Sequence, residues 1–256
     1  MTPSERIAVA RAELHGARAD LQARLEGERS RRRGAILREI HELNRMLDPG
    51  YRYLSQAGQD AVADRLLRGR TGGRFVDVGG YDGFTGSNTL FFELHRGWTG
   101  VLVEPVAAQL EKARLCRRCP CLGLAVAPEA GEAELIEVQA GYTQMSGLSE
   151  SYDAQILDRV REDPRHREAV RKVQTRTLSQ ILAEAGIPHP DFLSLDIEGG
   201  EIAVLETFPF DRHRVAVWSI ENNTGAPRIP QIMREQGYDL VEFCGPDEIY
   251  LDRRAA

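Results

Sequence analysis

The segment Arg74-Phe75-Val76-Asp77-Val78-Gly79-Gly80-Tyr81-Asp82-Gly83 constrains the fold more than any other part of the chain. An apolar strand runs into a glycine turn, and the next apolar run, Val101-Leu102-Val103-Glu104-Pro105, reaches an acid at its end. Strand, glycine turn, helix, strand and terminal acid together make a nucleotide-cofactor pocket in an α/β sheet. Glycine spacing then selects the cofactor. A dinucleotide fingerprint needs G-x-G-x-x-G, which seats a pyrophosphate on a helix N-terminus. Counted from Gly79, the required glycines fall on Tyr81 and Phe84. What remains, Asp-x-Gly-x-x-x-Gly, brings backbone close to a ligand without cradling a phosphate. S-adenosylmethionine has a ribose and a charged amino-acid tail but no phosphate, and it fits this turn better than NAD.

Downstream, helical and strand patterns alternate. Helices are expected at 56–69, 87–95, 107–116, 178–185 and 227–236, and strands at 74–79, 100–104, 121–126, 132–138, 171–176, 191–196 and 215–221. Residues 140–170 form a polar insertion with one helix. Tyr238–Cys244 and Glu248–Asp252 flank a Gly245-Pro246 turn and make a hairpin, placing an antiparallel strand at the sheet edge. Repeated βα units closed by a C-terminal hairpin predict a seven-stranded, Rossmann-like sheet of the class I S-adenosylmethionine methyltransferase type, helices on both faces.

Four of these strands end in polar or acidic residues: Asp77-x-Gly79, Glu104, Asp196-x-Glu198 and Glu221-Asn222-Asn223. A single acid at a strand end is often only a helix cap, whereas four at the ligand-binding side of one sheet mark a site. Glu104, followed by Pro105, is placed to accept both ribose hydroxyls, since a carboxylate takes two donors. Asp77 and the Gly79-Gly80-Tyr81-Asp82-Gly83 turn would receive the methionine end, with Asp82 and Asn88 near by. Ala125 is small enough to lie against the adenine. Methyl transfer to oxygen needs a base or a metal to draw the proton from a poor nucleophile. Asp196, Glu198 and Glu201 are the candidate catalytic acids. Asp196, Glu221 and Asn222 are oxygen ligands of the kind Mg²⁺ takes. No Asn/Asp-Pro-Pro-Tyr/Phe stretch occurs at Asp196, so a hydroxyl acceptor is expected rather than a nucleobase. Tyr142, Ser146 and Tyr152 are candidates for the mouth of its site.

Residues 1–48 read differently. Ile7, Leu14 and Leu21 recur at seven, and Leu25, Ile36, Ile40, Leu43 and Leu47 continue a thin apolar stripe. This predicts a helical arm, a hairpin broken near Gly27 or Gly34, ahead of a catalytic domain at 49–256. Two readings stay open: an arm for homodimerisation or partner docking, or helices packed on their own domain. The run Arg29-Ser30-Arg31-Arg32-Arg33 offers a phosphate contact, but a net charge of −6 argues against a nucleic-acid partner. Cys116, Cys119 and Cys121 form C-x-x-C-x-C, with only Cys244 left as a fourth ligand, so zinc is not expected. No apolar run approaches the ~20 residues of a membrane span, and the N-terminus lacks the apolar core of a signal peptide. The expectation is a cytoplasmic protein with no membrane partner.

Five blocks, in order, resemble the FkbM-type methyltransferases over roughly residues 55–253. They are Ser55-Gln56-x-Gly58-Gln59-Asp60, Phe75–Gly83, Ser87-Asn88-Thr89, Gly97-Trp98-x-Gly100 through Pro105, and Asp191 through Gly199-x-Glu201. The resemblance implies S-adenosylmethionine-dependent O-methylation of hydroxyls on sugars, glycans or natural-product intermediates in biosynthesis. It also implies that Gln56 and Asn88 reach the cofactor. Related metal-dependent O-methyltransferases carry an Asp and an acid-amide or acid-acid pair where this chain has Asp196, Glu221 and Asn222. The lysine that often follows that Asp in catechol-type enzymes is absent, which leaves the base open. The competing expectations are a nucleic-acid methyltransferase docking through Arg29–Arg33 and a non-catalytic scaffold assembling through the arm.

Overall fold

The computed structural model describes residues 1–254. The chain opens with a helical hairpin. Thr2 and Glu5 form a reciprocal capping box at the start of α1 (Pro3–Gly27), with Pro3 in the first turn, where its missing N–H has no helical partner to lose. This helix buries only Leu21. The chain breaks after Gly27 and returns as α2 (Arg32–Leu47), where Ile36 and Ile40 meet Leu21. α2 is also clamped to the body of the protein. The Gly245 N–H donates to Gly34 O, and a Cβ on Gly34 would lie 2.1 Å from Gly245 O, so no side chain fits at this crossing. Arg31 and Arg33 of the basic run pair with the buried carboxylates Glu248 and Glu242. The hairpin's inner helix is therefore packed on its own domain.

Helix α3 (Gln59–Leu66) precedes β1 (Arg74–Val78), α4 (Leu90–His95), β2 (Thr99–Val103), α5 (Ala107–Cys116), β3 (Cys121–Leu122) and β4 (Ala125–Val126). Then come β5 (Gly131–Ala140), β6 (Gly147–Leu148), α6 (Ala154–Arg161), β7 (Arg167–Arg176) and α7 (Leu178–Glu184). The chain closes with β8 (Phe192–Leu195), α8 (Glu201–Thr207), β9 (Val217–Glu221), α9 (Arg228–Glu235), β10 (Tyr238–Cys244) and β11 (Asp247–Asp252). Seven strands form one sheet in the order β10-β11-β9-β8-β1-β2-β3, parallel except at β11. The antiparallel member β11 lies one strand in from the edge, between β9 and β10.

Both faces of the central strands are buried, which is why they read as unbroken apolar runs. Val76, Leu193, Leu195 and Trp218 pack beneath α7, α8 and α9 through Ile181, Leu182, Leu205 and Met233. Phe75, Phe192 and Val217 face Val62, Phe91 and Phe92 of α3 and α4 on the other side.

The expected strand at 121–126 is two strands in two sheets. β3 ends the main sheet, the chain steps across at Gly123, where a Cβ would stand 2.7 Å from the Leu110 side chain, and β4 enters a second sheet. That second sheet, in the order β4-β7-β5-β6, was not foreseen as a unit. β7 begins inside the presumed insertion. Its charged residues, several of them exposed, hide the alternation by which a half-buried strand is recognised.

Candidate active site

β1 and β8 are neighbours, yet the chain leads from β1 through β2 to β3 on one side and from β8 to β9 on the other. At such a reversal, ligands bind beyond the carboxyl ends of the strands. A cavity of about 750 Å³ opens there, with Gly79, Glu104, Asp196 and Glu221 in its wall. It lies within the roughly 300–1,000 Å³ typical of small-molecule sites.

The glycine turn is built by close approach. Gly79 has φ +79°, and a Cβ there would lie 1.6 Å from Asp196 O, so only glycine lets β1 run this near β8. Tyr81, also left-handed at φ +48°, donates its N–H to Glu104 at 2.9 Å. The other Glu104 oxygen accepts Val106 N–H at 2.8 Å. Each oxygen keeps a lone pair for a further donor. Burial pushes this carboxyl up to about 7 against those two hydrogen bonds.

Asp77 lines the cavity, and its charge is balanced by Arg117, whose fully buried guanidinium also binds Glu93 and Thr89. Asn88 donates to Ser194, while its Oδ1 is buried in the same wall with no partner among the described residues. A buried acceptor left unpaired is costly, so this atom points to a ligand donor such as an ammonium group. Gln56 reaches the cavity over Gly86, where a Cβ would come within 2.5 Å of it. Its loop is tied by Asp60, which accepts Leu54 N–H, Ser55 N–H and the Ser55 hydroxyl. Gly80, Tyr81, Pro105 and Ala125 also line the cavity. Asp82 and Gly83 do not. Asp82 caps the turn through Phe84 and Thr85 N–H, and Gly83 packs against Ala113 and Arg117.

At the ends of β8 and β9 the acids gather. Oxygens of Asp196, Glu198 and Glu221 lie within 4.8 Å of one another, and all three residues line the cavity. Burial and the Asp247 carboxylate push Asp196 up to about 8, and burial with repulsion from Asp196 holds Glu198 and Glu221 well above the usual carboxylate range. Glu198 has φ +58°, unusual for a residue with a side chain, and such strain concentrates at functional sites. Among the described residues its one side-chain hydrogen bond is accepted from Asn223 Nδ2 at 3.5 Å.

Two of the expected acidic-site residues are engaged elsewhere. Glu201 accepts Ile197 and Gly199 N–H, organising the loop before α8. Asn222 is turned from the cavity, its amide satisfied by Ala226 and Glu248, and Glu198 stands where Asn222 was expected among the oxygen ligands. The cysteines of C-x-x-C-x-C are free, and Cys244 is buried under the sheet.

The opposite wall comes from Thr143–Leu148. Ser146 belongs to it, whereas Tyr142 is exposed and the Tyr152 hydroxyl bonds Met145 O from behind. Sequence reasoning missed Arg117, hidden within an arginine- and cysteine-rich stretch, and it missed Arg38 and Arg45 of α2, which reach the cavity wall. A helical repeat reveals a buried stripe but not the edge of a helix that touches a distant site.

A family model described as the methyltransferase FkbM domain matches residues 77–240. No curated protein matches the chain. Among solved structures, the methyltransferase FkbM from Methylobacillus flagellatus KT is similar at 14% identity and a TM-score of 0.47, over 90% of this chain. The alignment takes in 57% of that protein, so this chain spans little more than half its length. The precorrin-6y C5,15-methyltransferase from Geobacter metallireducens GS-15 is similar at 12% identity and a TM-score of 0.43, over 76% of this chain and 87% of that one. The N-terminal domain of human METTL16 aligns at 14% identity and a TM-score of 0.39, over 76% and 67% of the two chains.

Proposed function

The chain belongs to the FkbM methyltransferase domain family, and from that membership we propose that it methylates a hydroxyl of a sugar, glycan or natural-product intermediate. The family implies S-adenosylmethionine as donor. The observation that carries the hydroxyl assignment is the group Asp196, Glu198 and Glu221, opening on the same cavity as Glu104 and the glycine turn. Proton removal is what an alcohol needs and an exposed amine lone pair does not.

Glu104 would hold the ribose hydroxyls, Asn88 Oδ1 the ammonium group, and Ala125 the adenine. S-adenosylmethionine bound in this way supplies a methyl group activated by its sulfonium. Glu198 is the carboxylate assigned to take the acceptor's proton, since Glu201 is committed to two backbone N–H groups and, of the three converging acids, Glu198 holds the strained left-handed backbone. Burial, with repulsion from Asp196 and Glu201, raises the proton affinity of Glu198 toward what a general base at neutral pH requires. Thr143–Leu148 covers the acceptor and keeps water from the reacting oxygen.

A second reading of the same acids rests on their spacing. Three carboxylates converging within 4.8 Å fit a hard divalent cation such as Mg²⁺, with Asp196, Glu198 and Glu221 as its ligands. A cation there would lower the acceptor's pKa and relieve the repulsion.

Calorimetry with S-adenosylmethionine, followed by a methyl-acceptor screen of hydroxylated sugars and metabolites, tests the proposal. Glu198→Gln should bind the donor normally and lose methyl transfer. Methyl transfer undiminished in Glu198→Gln, or confined to amine acceptors, overturns it. Activity lost in EDTA and restored by Mg²⁺ selects the cation; indifference to chelation selects the free carboxylate.

A further inference from the structure

The cavity is acidic where β8 and β9 end, but α2 brings cations to another part of its wall. Arg38 and Arg45 both line it. They are seven residues apart, so they share one face of the helix, about 10 Å apart along its axis. The arginines that anchor the hairpin are used differently: Arg31 and Arg33 are paired with buried carboxylates. Arg45 has no carboxylate partner among the described residues, and Arg38 has only a surface contact of 3.6 Å to Glu42 on its own helix. Their position is fixed, because α2 is held by the Gly34–Gly245 crossing and by buried Ile36, Ile40 and Leu47. The matched family region begins at residue 77, so these two cations lie outside it.

We propose that Arg38 and Arg45 form an anion clamp for the acceptor, and that the acceptor is a phosphorylated hydroxyl compound such as a sugar or polyol phosphate. The inference rests on reading the cavity as the methyl-transfer site. A phosphate ester carries two charges and three peripheral oxygens, which two guanidinium forks can share. Such a molecule would turn its anionic end to the guanidinium groups of α2, away from Asp196, Glu198 and Glu221, which offer an anion no counter-charge. One group fixes orientation while a distant hydroxyl meets Glu198.

Calorimetry on the full chain, with and without S-adenosylmethionine, compares glucose 6-phosphate with glucose as probes. Wild type should bind glucose 6-phosphate at least about tenfold more tightly than glucose, and Arg38→Gln/Arg45→Gln should erase that difference. Both side chains are exposed, so the double variant should melt as wild type does, and its affinity for S-adenosylmethionine should be unchanged. Equal binding of the two sugars by wild type, or a preference retained by the double variant, overturns the clamp. So does a loss of S-adenosylmethionine affinity in the double variant, which would assign the arginines to the donor's own carboxylate. Failure of wild type to bind S-adenosylmethionine at all would instead sink the methyltransferase reading. The phosphate comparison is read separately in its absence.

Discussion

Replacing Glu104 with glutamine separates ligand binding from structural support. Glu104 accepts Tyr81 and Val106 N–H through different oxygens, and burial pushes its pKa up to about 7. Ribose hydroxyls donating to it favour the ionised form, so donor binding near neutrality releases a proton. Below pH 7 the protonated acid must first ionise, and affinity therefore falls with falling pH and levels off above 7. Relative to pH 8, a group titrating near 7 weakens binding about twofold at pH 7 and about tenfold at pH 6. Glutamine cannot ionise, and it turns an amide NH₂ toward one of the two backbone N–H groups. The stranded N–H should cost about 1–3 kcal/mol of stability, and losing a charge-assisted bond to ribose about 1.5–3 kcal/mol of binding, roughly tenfold to 150-fold. Titration calorimetry in two buffers of different ionisation enthalpy counts the protons. Wild type should release about half a proton at pH 7 and Glu104→Gln none. A wild-type affinity that is flat from pH 6 to 8, or a slope that survives in Glu104→Gln, refutes the ribose assignment.

Gly79→Ala forces a Cβ to 1.6 Å from Asp196 O at a left-handed backbone position; the resulting spread of β1 from β8 should cost about 4 kcal/mol or more in denaturant unfolding, and a wild-type midpoint would contradict the close approach. Arg117→Met leaves the buried Asp77 and Glu93 without their cation and should destabilise by about 3–5 kcal/mol; a loss below 1 kcal/mol would show that the network is dispensable. Raised carboxyl pKa values also set a pH trend: with Glu104 near 7 and Asp196 near 8, the folded chain binds more protons than the unfolded one above pH ~4, so stability declines as pH climbs from there to about 8. Melting in EDTA should therefore occur at a lower temperature at pH 8 than at pH 6, and the reverse order would refute the burial of uncompensated acids.

Where side chains answer to one local rule, the sequence is explicit. The strands through Val76, Leu102 and Leu193 are buried on both faces, and continuous apolar runs leave no other reading. Gly79 declares a turn because no other residue tolerates its conformation and its neighbour together. β7 was only partly legible for the opposite reason: its pairing with β5 supplies what its exposed charged residues do not. Gly123 gave no sign that a six-residue apolar run would divide between two sheets, because that division depends on where Leu110 sits.

The acidic site shows the same boundary more sharply. Asp196, Glu198, Glu201, Glu221 and Asn222 all lie at or just beyond the ends of β8 and β9, and composition gives them equal claims. Hydrogen bonding divides them. Glu201 has two N–H donors within its own loop, and Asn222 is consumed by Ala226 and by a Glu248 that the distant Arg31 also holds. Asp196, Glu198 and Glu221 are what remain when those demands have been met, and of the three Glu198 holds the strained left-handed backbone. A carboxylate that serves the fold has its lone pairs answered by the fold. The acids whose bonding capacity is left open to the cavity are the ones available for chemistry, and that distinction belongs to three-dimensional bonding rather than to residue type.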